Sequence, residues 1–275
     1  MTKVSLFDLT GRVAIITGGA GLLGEQHARV VAEAGGIPIL LDLDGDRAKT
    51  IARGLSEEFG VPARGRKANI VERADIERVL NDTLNDHGRV DILINNATNN
   101  PQVQESGAVN FSRFEHFPME QWARDIGVGL TGAFLCSQVF GVEMARRRRG
   151  VIVNIASDLA LIGPDQRLYR RDGLPEDRQP TKPVTYSVVK SALLGLTRYL
   201  ATYWADAGIR VNAICPGGVY DGQPADFVAK LTALIPMGRM AAVDEYQGAI
   251  LFLISDASSY MTGANLVVDG GRTCW

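Results

Sequence analysis

Short apolar runs rich in β-branched residues recur along the chain and alternate with longer amphipathic stretches. VAIIT (13–17), IPILL (37–41), VDILIN (90–95), VIVNIAS (151–157), IRVNAI (209–214) and NLVVD (265–269) have strand length, and a further strand ends at Asn69 and Ile70. Such alternation implies βαβ units and a parallel sheet covered by helices on both faces. The 3.6-residue pattern predicts helices over about 22–35, 45–59, 72–87, 118–148, 183–206 and 243–255. Pro118 and Pro183 suit first helical turns, Asp44 suits a helix cap, and Gly35, Gly60, Gly88, Gly150 and Gly208 follow periodic stretches as stops.

The polar segments 98–117, 159–182 and 217–240 break this rhythm. The first two follow strands on the side where open α/β sheets bind ligands, and loops of that length in a compact domain are usually functional. They read as substrate loops within one domain spanning 1–275, a length that a doubly wound fold accommodates.

Composition removes several alternatives. A net charge of −2 and 22% charged residues provide no global basic field to recruit nucleic acid. RRRR (Arg146 to Arg149) falls at a helix C-terminus, where cations complement the helix dipole and are expected to face water. Cys136, Cys215 and Cys274 have no CxxC spacing and read as reduced, which points to the cytoplasm. The N-terminus lacks a signal pattern, and no segment reaches an uninterrupted membrane-spanning apolar run. His27, His87 and His116 lack metal-ligand spacing, so no metal is expected, although His116 lies in a substrate loop.

TGGAGLLG (Thr17 to Gly24) joins the first strand to a helix, the context a dinucleotide fingerprint requires. Glycines let the backbone turn tightly and approach a pyrophosphate, whose charge the helix N-terminus favours, so Gly18, Gly21, Leu22 and Leu23 are candidate cofactor contacts. Asp42 ends the second strand where a carboxylate can accept from the adenosine ribose hydroxyls and repel a 2′-phosphate, favouring NAD over NADP. Asn69 and Ile70 are placed to meet the adenine, with a purely local turn role for Asn69 as the alternative. NNAT brings Asn96, Ala97 and Thr98 to the adenosine side.

YSVVK sets Tyr186 and Lys190 four apart on a helix and hence on one face, where the ammonium can stabilise a phenolate and tune it as a general acid/base. Ser157 ends the strand VIVNIAS, where its hydroxyl can hold the substrate oxygen while Tyr186 passes the proton.

In this order, TGGAGLLG, Asp42, NNAT, NIAS, YSVVK, RVNAICPGG and NLVVDGG resemble the compact single-domain branch of the short-chain dehydrogenase/reductase family over essentially the whole chain. The resemblance implies a Rossmann-type α/β fold with a seven-stranded parallel sheet of order 3-2-1-4-5-6-7. It also implies a Ser157, Tyr186, Lys190 active site, cofactor contacts from Pro216, Gly217 and Val219, and a homo-oligomer, tetramer or dimer. Three positions depart from the family pattern. Leu22 stands where the branch usually has its middle glycine, Gly129 where it has a relay asparagine, and Asp221 where a threonine often meets the nicotinamide carboxamide.

The segment between Ser157 and Tyr186 is longer than is usual in the family, and its Arg167, Arg170, Arg171 and Arg178 offer an anion clamp. Asp165, Asp172, Glu176 and Asp177 are interleaved, so an ion-paired solvated loop is the alternative. A narrower resemblance, to dehydrogenases of flagellin modification and sialic-acid-like sugar synthesis, implies a phosphorylated or nucleotide-linked amino sugar as substrate. The expected function is NAD-dependent interconversion of a secondary alcohol and a ketone. The rivals are a general carbonyl or 3-ketoacyl reductase and a catalytically silent NAD-binding module.

Overall fold

A computed structural model describes residues 6–99 and 112–275. Residues 100–111 of the first expected substrate loop lie outside that range. Seven strands, β1 (Val13–Thr17), β2 (Ile37–Asp42), β3 (Arg64–Lys67), β4 (Ile92–Asn95), β5 (Gly150–Ile155), β6 (Ile209–Pro216) and β7 (Asn265–Val268), form one parallel sheet in the order β3-β2-β1-β4-β5-β6-β7. β3 ends at Lys67, two positions before Asn69, which sits in the turn that follows.

Successive strand residues serve opposite faces. Ala14, Ile16, Leu40, Ile92, Ile94 and Val153 pack with α1 (Leu22–Glu33), α2 (Gly45–Phe59) and α8 (Gln247–Ile254). Val13, Ile15, Ile39, Leu93 and Ile152 pack with α3 (Arg73–His87), α5 (Gly132–Arg146) and α6 (Val184–Tyr203). Burial on both faces is why the central strands read as continuous apolar runs.

Helix ends follow local chemistry. The Asp44 carboxylate accepts from the Arg47 N–H at 3.0 Å, capping α2. Gly60, Gly88 and Gly208 take left-handed backbone at the expected stops. Gly150 does not. It begins β5, where a Cβ would lie 2.6 Å from the Met144 sulfur, and the turn is made by Arg148 at φ 54°. The neighbouring arginines are also more engaged than expected: Arg147 donates to the Gly88 carbonyl at 2.6 Å and Arg148 to the Asp206 carbonyl at 2.5 Å. A second difference is α7 (Ala225–Thr232), a helix inside the segment expected to be loop.

α4 (Met119–Ile126) continues through a π turn (Gly127–Thr131) into α5. The run Met119–Arg146 is long and apolar enough to cross a bilayer by length and composition, but half of its apolar window is buried, as in a core helix. A Cβ at Gly129 would lie 2.5 Å from Val189 Cγ1, and one at Gly132 would lie 2.6 Å from Ile70 Cδ1. Glycine at the expected relay-asparagine position therefore reflects close approach to α6: Val189 occupies the space a side chain would need.

Gly129→Asn should lower stability by about 1–3 kcal/mol in chemical denaturation, as overpacked sites do. Val189→Ala in the same chain should recover most of that loss, because the two positions touch. A Gly129→Asn protein as stable as the parent would contradict this packing account.

Candidate active site

All strands are parallel, so their carboxyl ends share one edge of the sheet. A cleft of about 580 Å³ runs along that edge. At one end it is lined by Asp42, Leu43, Asn69 and Ile70, in its middle by Gly18, Gly21, Leu22, Leu23, Asn96, Ala97 and Thr98, and at its floor by Ser157, Tyr186 and Lys190. Pro216, Gly217, Gly218, Val219 and Asp221 form the wall beyond.

The glycine turn is shaped by contacts that exclude side chains. Gly18 has φ 62°, and a Cβ on Gly24 would lie 2.1 Å from the Gly18 carbonyl oxygen. Leu22 is 41% exposed at the cleft, so the turn tolerates it where the family usually has glycine. α1 begins at Leu22 with Gly21 as its cap and no side chain satisfying the first N–H groups, leaving donors for an anion. Asn96 donates from Nδ2 to the carbonyls of Thr17 (2.9 Å) and Gly18 (3.1 Å), so its amide braces the turn. Asp42 accepts from the Ala20 N–H (3.0 Å) and the Asp44 N–H (3.1 Å), which fixes the carboxylate at the cleft. Asn69 Oδ1 accepts from the Val71 N–H at 3.3 Å, the local turn role. A glycine turn, uncapped helix N-terminus, acidic strand end and apolar Ile70 are donors and surfaces that fit a dinucleotide.

Beneath the cleft, a buried polar chain fixes the relation of sheet to helices. Asn95 Nδ2 donates to Ser137 Oγ (3.1 Å) and Asn154 Oδ1 (2.8 Å), and Asn154 Nδ2 donates to Thr197 Oγ1 (2.8 Å), joining β4, β5, α5 and α6. Deeper in α4, the buried Asp125 accepts from Thr185 (2.5 Å), Gln121 (2.7 Å) and Asn99 (2.7 Å), holding the residue before Tyr186.

Ser157, Tyr186 and Lys190 all line the cleft. Lys190 donates from Nζ to the Ile155 carbonyl at 2.7 Å. Burial, with the Lys182 charge second, lowers its pKa to about 8. The Ser157 hydroxyl neighbours the Tyr186 phenol. Burial raises the phenol pKa, the Ser157 hydroxyl works against that, and the Asp158 charge adds to it. Ser157 Oγ donates to Asp158 Oδ1 at 2.7 Å and accepts from the Leu159 N–H at 3.2 Å. Asp158 forms a 3.0 Å ion pair with Arg272, with side chains 9% and 4% exposed. The pairing with Arg272 offsets part of the Asp158 charge that opposes the phenolate.

The insertion before Tyr186 contributes differently from the expected anion clamp. Arg167 pairs with Asp165 at 2.7 Å and Arg170 pairs with Glu176, and none of the four arginines lines the cleft. Arg167 and Arg170 thus spend their charges within the loop, as in the ion-paired alternative. Its lining residues are Pro164, Asp165, Leu168, Tyr169 and Lys182, facing Phe227 and Leu231 of α7. Lys182, Asp158, Tyr169 and Arg272 are additions to the expected site. Lys182 could have been sought as a cation one helical turn before Tyr186, but Arg272 has no local signal because its partner is distant in sequence. His116 is exposed and does not line the cleft, and His27 is buried, its pKa pushed down to about 4. Among the described residues no cluster of His, Cys, Asp and Glu could hold a metal.

A short chain dehydrogenase family profile matches residues 12–168, and one described as Enoyl-(Acyl carrier protein) reductase matches 176–273. The NADP-dependent mannitol dehydrogenase of Alternaria alternata is 33% identical over 97% of this chain and 94% of its own. The NAD-dependent glycerol dehydrogenase of Listeria innocua serovar 6a is 32% identical over 97% and 96%. A gluconate 5-dehydrogenase from Burkholderia cenocepacia J2315, solved with NADP and tartrate, superposes with a TM-score of 0.86 at 29% identity over 99% of both chains. The chain belongs to the short-chain dehydrogenase/reductase family, enzymes that act on CH–OH groups through a nucleotide cofactor.

Proposed function

We propose that this enzyme interconverts a secondary alcohol and a ketone on a polyhydroxylated substrate, with NAD(H) as its cofactor. The observation that carries the reading is the meeting of Ser157, Tyr186 and Lys190 at the floor of the cleft. In the oxidative direction Tyr186 takes the hydroxyl proton, Ser157 holds the substrate oxygen, and Lys190 stabilises the phenolate. When bound, the nicotinamide would supply the hydride acceptor, and Lys190 would hold its ribose.

Relatives named for mannitol and glycerol favour a polyol or sugar-type substrate over the amino sugar. They include both NADP- and NAD-dependent enzymes, so the preference for NAD rests on the Asp42 carboxylate at the cleft. A homo-oligomer belongs to the same reading, supported by the exposed Phe134 and Val142 of α5 and Tyr199 and Tyr203 of α6. So does a reducing, cytoplasmic setting, consistent with three free cysteines. The silent-module and 3-ketoacyl reductase readings are less favoured, by the assembled triad and by Asp42 respectively.

Tyr186→Phe should reduce kcat by about 10²–10⁴-fold while NADH affinity, read by fluorescence titration, stays within a factor of about three. Near-parental turnover would remove Tyr186 as the acid/base. NADH should bind at least about tenfold more tightly than NADPH, a difference of about 1.4 kcal/mol. Asp42→Asn, which keeps an acceptor but removes the charge, should narrow that ratio; equal affinities in the parent enzyme would contradict the NAD assignment and favour the ketoacyl-reductase reading.

A further inference from the structure

We propose that Lys182 is a positioning residue for Tyr186: a second ammonium, set against the face of the phenol ring, that stabilises its anionic form together with Lys190. This rests on the reading of Tyr186 as the acid/base.

Lys182 stands immediately before Pro183, the cap residue of α6, so a φ-restricted residue links it to the helix that carries Tyr186. Its own N–H donates to Gln166 Oε1 at 2.9 Å, tying the backbone to the insertion loop. The side chain lines the cleft with Nζ 3.9 Å from the centroid of the Tyr186 ring, nearer than Lys190 at 5.7 Å. Tyr186 thus lies between two ammonium groups from opposite sides in sequence, four positions before it and four after.

Among the described residues, several elements bring charged, titratable or polar neighbours to the Tyr186 ring. From the end of β5 come Ser157 and Asp158, from the C-terminal turn Arg272 paired with Asp158, and from the insertion loop Tyr169. α6 brings Lys190, and β6 brings Cys215, whose thiol burial pushes up to about 11, so that it is neutral at ordinary pH. Asp158 disfavours the phenolate, and its pairing with Arg272 blunts that effect. Among the described residues, Lys182 and Lys190 are the two ammoniums against the ring.

A cation on a neutral aromatic face gains a modest cation–π attraction, whereas the same cation beside a phenolate gains a full charge–charge attraction. The difference favours ionisation. Burial lowers the Lys182 pKa to about 8 while Asp158 supports its charged form, so the group is largely an ammonium at neutral pH. Lys182 also depresses Lys190, which places the three groups in one electrostatic unit.

The test compares Lys182→Met, which keeps the stem and removes the charge, with Lys182→Arg, which keeps a charge. Two readouts are taken on the full-length protein. One is the pH profile of kcat in polyol oxidation. The other is the ultraviolet tyrosinate titration of each protein minus its Tyr186→Phe counterpart, which needs no turnover. Lys182→Met should move both inflections upward by about one pH unit, the lower end of the effect of removing an opposite charge at this range. Lys182→Arg should stay within about 0.3 of the parent on both readouts, well inside that single-charge shift. Unmoved inflections in Lys182→Met, or equal shifts in the two variants, would overturn the inference. High activity in Tyr186→Phe alone would instead overturn the acid/base reading beneath it, whatever the Lys182 variants do.

Discussion

The Lys190 ammonium sits 2.7 Å from the carbonyl oxygen of Ile155, almost wholly removed from water, at the point where β5 ends and α6 crosses it. An ammonium in such a place resists charging, and its pKa falls to about 8. Much of the surrounding structure makes that placement tolerable. The Ile155 carbonyl accepts a hydrogen bond from the ammonium, and the polar chain from Asn95 through Asn154 to Thr197 keeps α6 in register with the sheet. The unfolded chain's lysine titrates near about 10.4, above the folded value, so the unfolded state binds more protons between those limits. Stability therefore rises with pH from about 8 upward, and the burial penalty is present in full below that. A site that holds such strain is characteristic of function taking precedence over stability.

The parallel sheet supplies the rest of the geometry. With every strand pointing the same way, the glycine turn after β1, Asp42 at the end of β2, Ala97 beyond β4, Ser157 beyond β5 and Pro216 at the end of β6 all reach one edge. Close helix packing then sets the depth of the cleft. Gly132 lets α5 approach Ile70, and Gly129 lets the π turn approach Val189 on α6, so the same helix borders both ends of the site. The glycine at position 129 is part of this packing, which explains why no asparagine fits there without rearrangement.

The central strands were legible because both of their faces are buried, which leaves an unbroken apolar signature, whereas the polar edge strand β3 (Arg64–Lys67) leaves none. Tyr186 and Lys190 were legible because a helix converts a spacing of four into a shared face. The glycine stops were legible where the backbone turns left-handed, and misleading at Gly150, where packing against Met144 requires the glycine and Arg148 makes the turn. The arginines before Tyr186 drew attention as an anion clamp, yet the observed partners of Arg167 and Arg170 lie within the same loop. Conversely, Asp158 and Arg272 are unremarkable apart and form one buried pair only after the chain has folded. Spacing reveals neighbours on one element; charge pairs between distant segments leave no such trace.

The burial of Lys190 can be measured directly by nuclear magnetic resonance titration of the lysine side chains, with its resonance assigned by the Lys190→Met variant. An inflection near pH 8, well below the value of a solvated lysine, is the predicted result. An inflection near the ordinary lysine value of about 10.4 would mean that water reaches the ammonium and would contradict this account of how Tyr186 and Lys190 work together.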